Sequence, residues 1–65
     1  MPYIEVKVAG SLDEDQRKAI THEITQTMKR VAGKPESATY VVIQEVPRTH
    51  WAKSGELLEL EESQH

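Results

Sequence analysis

Apolar and polar residues alternate from the start of the chain. Ile4, Val6 and Val8 interleave with Tyr3, Glu5 and Lys7, the period of two that puts one set on each face of a β-strand. The pattern breaks at Ala9-Gly10, and beyond Ser11-Leu12-Asp13-Glu14 the period lengthens. Ile20, Ile24, Met28 and Val31, with Ala19 and Thr27 beside them, form one apolar stripe on an otherwise polar helix. Ser11 with Glu14 has the spacing of a capping box, and so does Asp13 with Gln16. Asp13, Glu14 and Asp15 suit the positive pole of that helix, and Lys29 and Arg30 its negative one. Gly33 is the expected C-terminal cap, and Pro35 prevents continuation. His22 falls off the stripe and reads as a solvated surface histidine. Thr39 to Glu45, rich in β-branched and aromatic residues, predicts the second strand. From Val46 the pattern becomes irregular, with turns expected at Pro47 and at Ser54-Gly55. Glu56-Leu57-Leu58-Glu59-Leu60 offers a short apolar piece able to pair as a strand or cap a neighbour's core.

Strand, helix of about five turns and strand make one β-α-β unit, with parallel strands and a right-handed crossover. The fold class expected is therefore α+β. One helix on two strands cannot cover both sheet faces, whereas two copies give a four-stranded sheet with two helices on one face.

Size points the same way. The 65 residues make a single domain over 1–65, and a chain this short buries only about 60% of its unfolded surface. Such domains need a staple. Cysteine is absent, and His22, His50 and His65 lack the spacing of metal ligands, so neither a disulfide nor a structural metal is expected. Oligomerisation is the staple that remains, and a homo-oligomer is expected from size alone. The acidic stretch 59–65 is expected to be disordered at its end.

Charge narrows the partners. A formal net charge of −3 argues against nucleic acid. No apolar run approaches the roughly 20 residues of a membrane span, and the first residues lack the basic and apolar segments of a signal peptide. The cytoplasm is the expected location.

The candidate chemistry begins at Pro2. A small second residue lets methionine aminopeptidase remove Met1, leaving a secondary amine on a rigid ring at the head of a strand. An α-amino group titrates near about 8, and an apolar pocket lowers that value by disfavouring the charged form. Acid–base catalysis works best with a pKa close to the working pH. The plain alternative is that Pro2 only starts a strand, where a missing N–H costs nothing. Trp51, the single tryptophan, sits in the irregular stretch with Arg48, His50 and Lys53, and large aromatics in loops pack over pockets or interfaces.

Pro2 heading a strand, Gly10-Ser11-Leu12-Asp13-Glu14, Pro35, Val41-Val42-Ile43-Gln44-Glu45 and His50-Trp51-Ala52-Lys53-Ser54-Gly55-Glu56-Leu57 together resemble the 4-oxalocrotonate tautomerase family, over residues 2 to about 58. The resemblance implies a dimer with a four-stranded sheet, and usually a hexamer built as a trimer of dimers. It implies an isomerase without cofactor or metal, acting on a small enol or keto acid. Pro2, freed of Met1, is then the base that moves a proton between a dienol hydroxyl, or a carbon beside a carbonyl, and a conjugated carbon. An aromatic at the place of Trp51 helps keep that amine neutral. The chain departs from the family at the two arginines that hold substrate carboxylates, where it has Ser11 and Tyr40. Neither hydroxyl reproduces a bidentate guanidinium grip.

Arg48 is the candidate replacement cation, with Lys53 a weaker one; the alternative is that both are solvated loop charges. Tyr40 is a candidate donor to a carbonyl or enolate oxygen, and Arg17 reads as an exposed helix residue. Lys53 stands where related dehalogenases carry a water-activating glutamate, which disfavours hydrolytic dehalogenation. Two other readings stay open: a non-catalytic binding module of the same fold, and another Pro2-dependent reaction such as hydration or carbon–carbon bond formation.

Overall fold

The computed structural model describes residues 1–60, and the acidic stretch from 61 to 65 lies outside them. Strand β1 (Tyr3–Ala9) leads through a turn to helix α1 (Glu14–Ala32), and a 3-10 turn at Glu36–Ala38 returns the chain to β2 (Tyr40–Val46). A second 3-10 turn, Arg48–His50, precedes a small hairpin of β3 (Ala52–Lys53) and β4 (Glu56–Leu57). β1 and β2 run parallel, in a register that pairs Tyr3 with Tyr40, Ile4 with Val41 and Val6 with Ile43. The expected β-α-β unit is present, with its second strand shifted one residue towards the C-terminus.

The helix starts later than Ser11 would set it. Asp13 is the N-cap: its carboxylate accepts from the Gln16 amide and the Gln16 side chain accepts from the Asp13 amide. Of the two capping boxes in the sequence the second forms, and the Leu12 N–H just before it is engaged by the Glu45 carboxylate. At the other end Gly33 adopts φ 67° and its N–H reaches Lys29, a left-handed conformation that glycine enters without steric cost.

The helix covers the sheet face carrying Ile4, Val6, Val8, Val41 and Ile43, with Ile20, Ile24 and Met28 turned towards it. One member of the expected stripe, Val31, and both residues expected beside it miss that face. Ala19 and Thr27 are exposed, and Thr21 and Thr25 take the half-buried positions instead, their hydroxyls spent on the Arg17 and Thr21 carbonyls. Val31 is 73% exposed. A 19-residue helix is about 28 Å long and a seven-residue strand about 23 Å, so the last turn overhangs the sheet and has nothing to cover.

Among the described residues none is buried. The molecule is one helix on one two-stranded sheet, 14 Å along its shortest axis, and the second face of that sheet is open. Tyr3, Tyr40 and Val42 lie on it, 62%, 55% and 39% exposed, and Leu57 and Leu58 add apolar surface from the hairpin. The hairpin turns on Ser54 and Gly55, both with positive φ, the conformation of a type I′ turn. Its short first strand, Ala52–Lys53, lies within the stretch read as irregular.

Candidate active site

Pro2 stands immediately before β1 and is half-buried. Having no N–H to give the ladder, it contributes its carbonyl, which accepts from the Tyr40 amide at 3.0 Å. The ring is thereby pinned to the head of both strands. The register brings Tyr3 beside Tyr40, two exposed phenols adjoining Pro2. This pairing links positions 37 residues apart in the chain, which is why Tyr3 escaped a reading made along it. Met1 projects into solvent at 87% exposure, open to an aminopeptidase.

Ser11, Arg48 and Trp51 enter at the opposite end of the sheet. The Gly10 amide donates to the Val46 carbonyl at 2.8 Å, so the turn after β1 and the chain leaving β2 are held together there. Ser11 is exposed in that turn. Arg48 opens the 3-10 turn and Trp51 closes it. A seven-residue strand separates this end from Pro2, about 23 Å at the rise of a β-strand. Within one chain, Pro2 and Tyr40 are brought together, and Ser11, Arg48 and Trp51 are not brought to them.

Trp51 is half-buried, and its indole N–H is enclosed without a hydrogen-bond partner. Its carbonyl accepts from Leu58, so the segment after the hairpin folds back along the tryptophan. Arg48, half exposed, pairs with Glu59 at 3.7 Å. Arg17, expected as an exposed helix residue, is instead half-buried and engaged. Its guanidinium donates to the Leu12 carbonyl at 2.6 Å and to the Glu45 carboxylate at 3.3 Å, and Glu45 also accepts from the Leu12 amide. This three-way clasp closes the β1–α1 turn onto the end of β2. His22 is exposed, and no cluster of metal-ligating side chains is present among the described residues.

Residues 2–61 match the family model described as Tautomerase enzyme. The chain belongs to the tautomerase family. A probable tautomerase from Bacillus cereus is 34% identical to it over 58 residues, covering 89% of this chain and 95% of that one. A 2-hydroxymuconate tautomerase from Pseudomonas putida is 31% identical over 55 residues, covering 85% and 87%. Among solved structures, a 4-oxalocrotonate tautomerase isozyme from Methylibium petroleiphilum superposes with a TM-score of 0.81 at 26% identity, covering 88% and 92%.

The tautomerase fold of this chain thus follows that of an isomerase family. No helix among the described residues is long and apolar enough to cross a membrane. The Arg17–Glu45 clasp was hidden in the sequence because its partners lie 28 positions apart and neither breaks a local pattern.

Proposed function

We propose that this tautomerase interconverts the enol and keto forms of a small 2-hydroxy or 2-oxo acid, with Pro2, freed of Met1, as the general base. The observation that carries the reading is the placement of Pro2: half-buried, anchored through its carbonyl to Tyr40, and followed directly by a strand. Loss of Met1 turns its amide nitrogen into a secondary amine at a place set by the sheet. The neutral amine takes a proton from the enol hydroxyl, or from the carbon beside the carbonyl, and delivers it to a conjugated carbon. Atoms balance without cofactor or metal.

The other roles follow from chemistry. The Tyr40 hydroxyl donates to the carbonyl or enolate oxygen, where charge develops. The Trp51 ring walls the pocket and keeps water from the amine, favouring its neutral form. Arg48 holds the substrate's carboxylate, and Ser11 supplies a hydroxyl donor. Since Trp51, Arg48 and Ser11 lie at the far end of the sheet, the pocket draws all three from a neighbouring copy. The protein is accordingly proposed to be a homo-oligomer, with a dimer of four strands as building block and a hexamer as the assembly, working in the cytoplasm. The open sheet face and the lack of any buried residue among the described residues support assembly with further copies.

The test joins intact-mass spectrometry to phenylenolpyruvate ketonisation on wild type and Pro2→Ala. A mass lacking methionine, with kcat/KM lower by about 10²-fold or more in the variant, is the expected result. A processed terminus with equal activity in both proteins on a panel of enols overturns the reading. The second reading, a binding module without catalysis, is favoured by one observation: Arg17 and Arg48 are each matched by a carboxylate of the chain itself.

A further inference from the structure

The two arginines near the end of the sheet differ in how firmly they are held. Arg17 makes three contacts, two to Glu45 and one to the Leu12 carbonyl, and Glu45 is secured in turn by the Leu12 amide. That carboxylate is fixed from two sides by short-range donors, and a ligand replacing it would have to satisfy a backbone amide as well as the guanidinium. Arg48 is held loosely. Its Nε lies 3.7 Å from Glu59, the side chains are 50% and 40% exposed, and no hydrogen bond joins them within normal N–H···O distance. Exposed pairs of this kind contribute little and exchange readily with solvent or solutes.

Glu59 follows Leu58, whose amide is bound to the Trp51 carbonyl at 2.8 Å. The carboxylate is therefore presented to Arg48 by a segment anchored on the aromatic wall of the proposed pocket. We propose that Glu59 is a specificity-determining residue: an exchangeable placeholder on Arg48 that a substrate carboxylate displaces, while the clasped Arg17 stays closed to a second. The class of substrate this selects is an enol acid with a single carboxylate and an apolar or aromatic remainder. At this end of the sheet a dicarboxylate finds one exchangeable guanidinium for its two charges. Repulsion from Glu59 adds to the discrimination, since the displaced carboxylate remains nearby on its tether.

This inference rests on the reading of Arg48 as the substrate-binding cation, and the experiment separates the two. KM and kcat are measured for wild type, Glu59→Gln and Arg48→Ala with three enols: phenylenolpyruvate as monocarboxylate, 2-hydroxymuconate as dicarboxylate, and the methyl ester of phenylenolpyruvate as neutral control. Glutamine keeps the size of the side chain and removes its charge. In Glu59→Gln, KM for the monocarboxylate is expected to fall by roughly two- to fivefold, the range an exposed ion pair can contribute, with no comparable fall for the ester. In wild type, kcat/KM for the monocarboxylate exceeds that for the dicarboxylate. Arg48→Ala raises KM for both acids and leaves the ester unaffected. If Arg48→Ala raises KM but Glu59→Gln leaves it as in wild type, the placeholder role is overturned and Arg48 stands. If Arg48→Ala leaves KM for the acids unchanged, the assignment of Arg48 falls, and the inference with it. A fall in KM of equal size for the ester would show that Glu59 acts on pocket shape, which also overturns the proposal.

Discussion

At the scale of residues, Trp51 poses a sharp question, because its indole N–H is enclosed without an acceptor. An unpaired buried donor loses its hydration without return, at a cost of about 1–3 kcal/mol. Trp51→Phe removes the donor and keeps a ring, so it is expected to hold melting temperature within a few degrees of wild type and retain most activity. On the proposed mechanism Trp51→Ala removes the pocket wall and is expected to lower kcat/KM by about tenfold or more, with the pH profile of kcat/KM moved as the amine loses its apolar cover. Parallel melts and pH–rate profiles of the two variants check this. Glu36 offers a second prediction. Its carboxylate accepts from Lys29 at 3.1 Å and from Gln26 at 2.9 Å, and the Lys29 ammonium holds its carboxyl below the usual carboxylate range, with Gln26 and His22 acting in the same sense. A carboxyl whose folded pKa is depressed stabilises the fold above its unfolded pKa, and that contribution is lost as pH falls through the folded value. Glu36→Gln is thus expected to melt below wild type at neutral pH and to converge with it as the medium is acidified through the carboxylate range, as followed by circular dichroism.

At the scale of elements, helix α1 is bounded by two devices whose sequence signals were plain. Asp13-x-x-Gln16 and Gly33-x-Pro35 state the ends of the helix in residues that have few other uses there. Asp13→Ala is expected to cost about 1 kcal/mol. Gly33→Ala places a Cβ at φ 67° in open space, so only backbone strain opposes it, again about 1 kcal/mol. Both are read from denaturant midpoints at constant protein concentration, and Asp13→Asn, which keeps the capping oxygen, should recover most of the first loss. What the helix covers was less legible. Periodicity names a stripe, but Val31 lies past the end of the strands, and the middle of the face is completed by Thr21 and Thr25, whose hydroxyls bond back to their own helix and leave a methyl for the sheet.

At the scale of the whole molecule, the single chain leaves one face of its main sheet uncovered. Two strands and one helix leave Tyr3, Tyr40 and Val42 on an open face, and a layer 14 Å thick has no interior. On the proposed dimer, folding and assembly are one equilibrium, and stability is expected to depend on protomer concentration. Val42→Asp puts a charge on the open sheet face and is expected to lose oligomeric mass and helical circular dichroism together. Native mass spectrometry and far-ultraviolet spectra on the same samples check this; an unaltered mass would show that this face is not the one covered by another copy.

The sequence by itself determined the β-α-β order, the parallel sense of its two strands, the glycine that caps the helix C-terminus, and Pro2 as the head of β1. All of these depend on period, on turn residues or on one residue's covalent chemistry, which act over a few neighbours. Only the tertiary structure decided the register that sets Tyr3 beside Tyr40, the clasp of Arg17 with Glu45, the pairing of Arg48 with Glu59 after the chain doubles back at Ser54-Gly55, and the separation of Pro2 from Arg48 by a full strand. These are matters of distance between residues remote in the chain, and no local preference encodes a distance that depends on how strands, helix and hairpin stack.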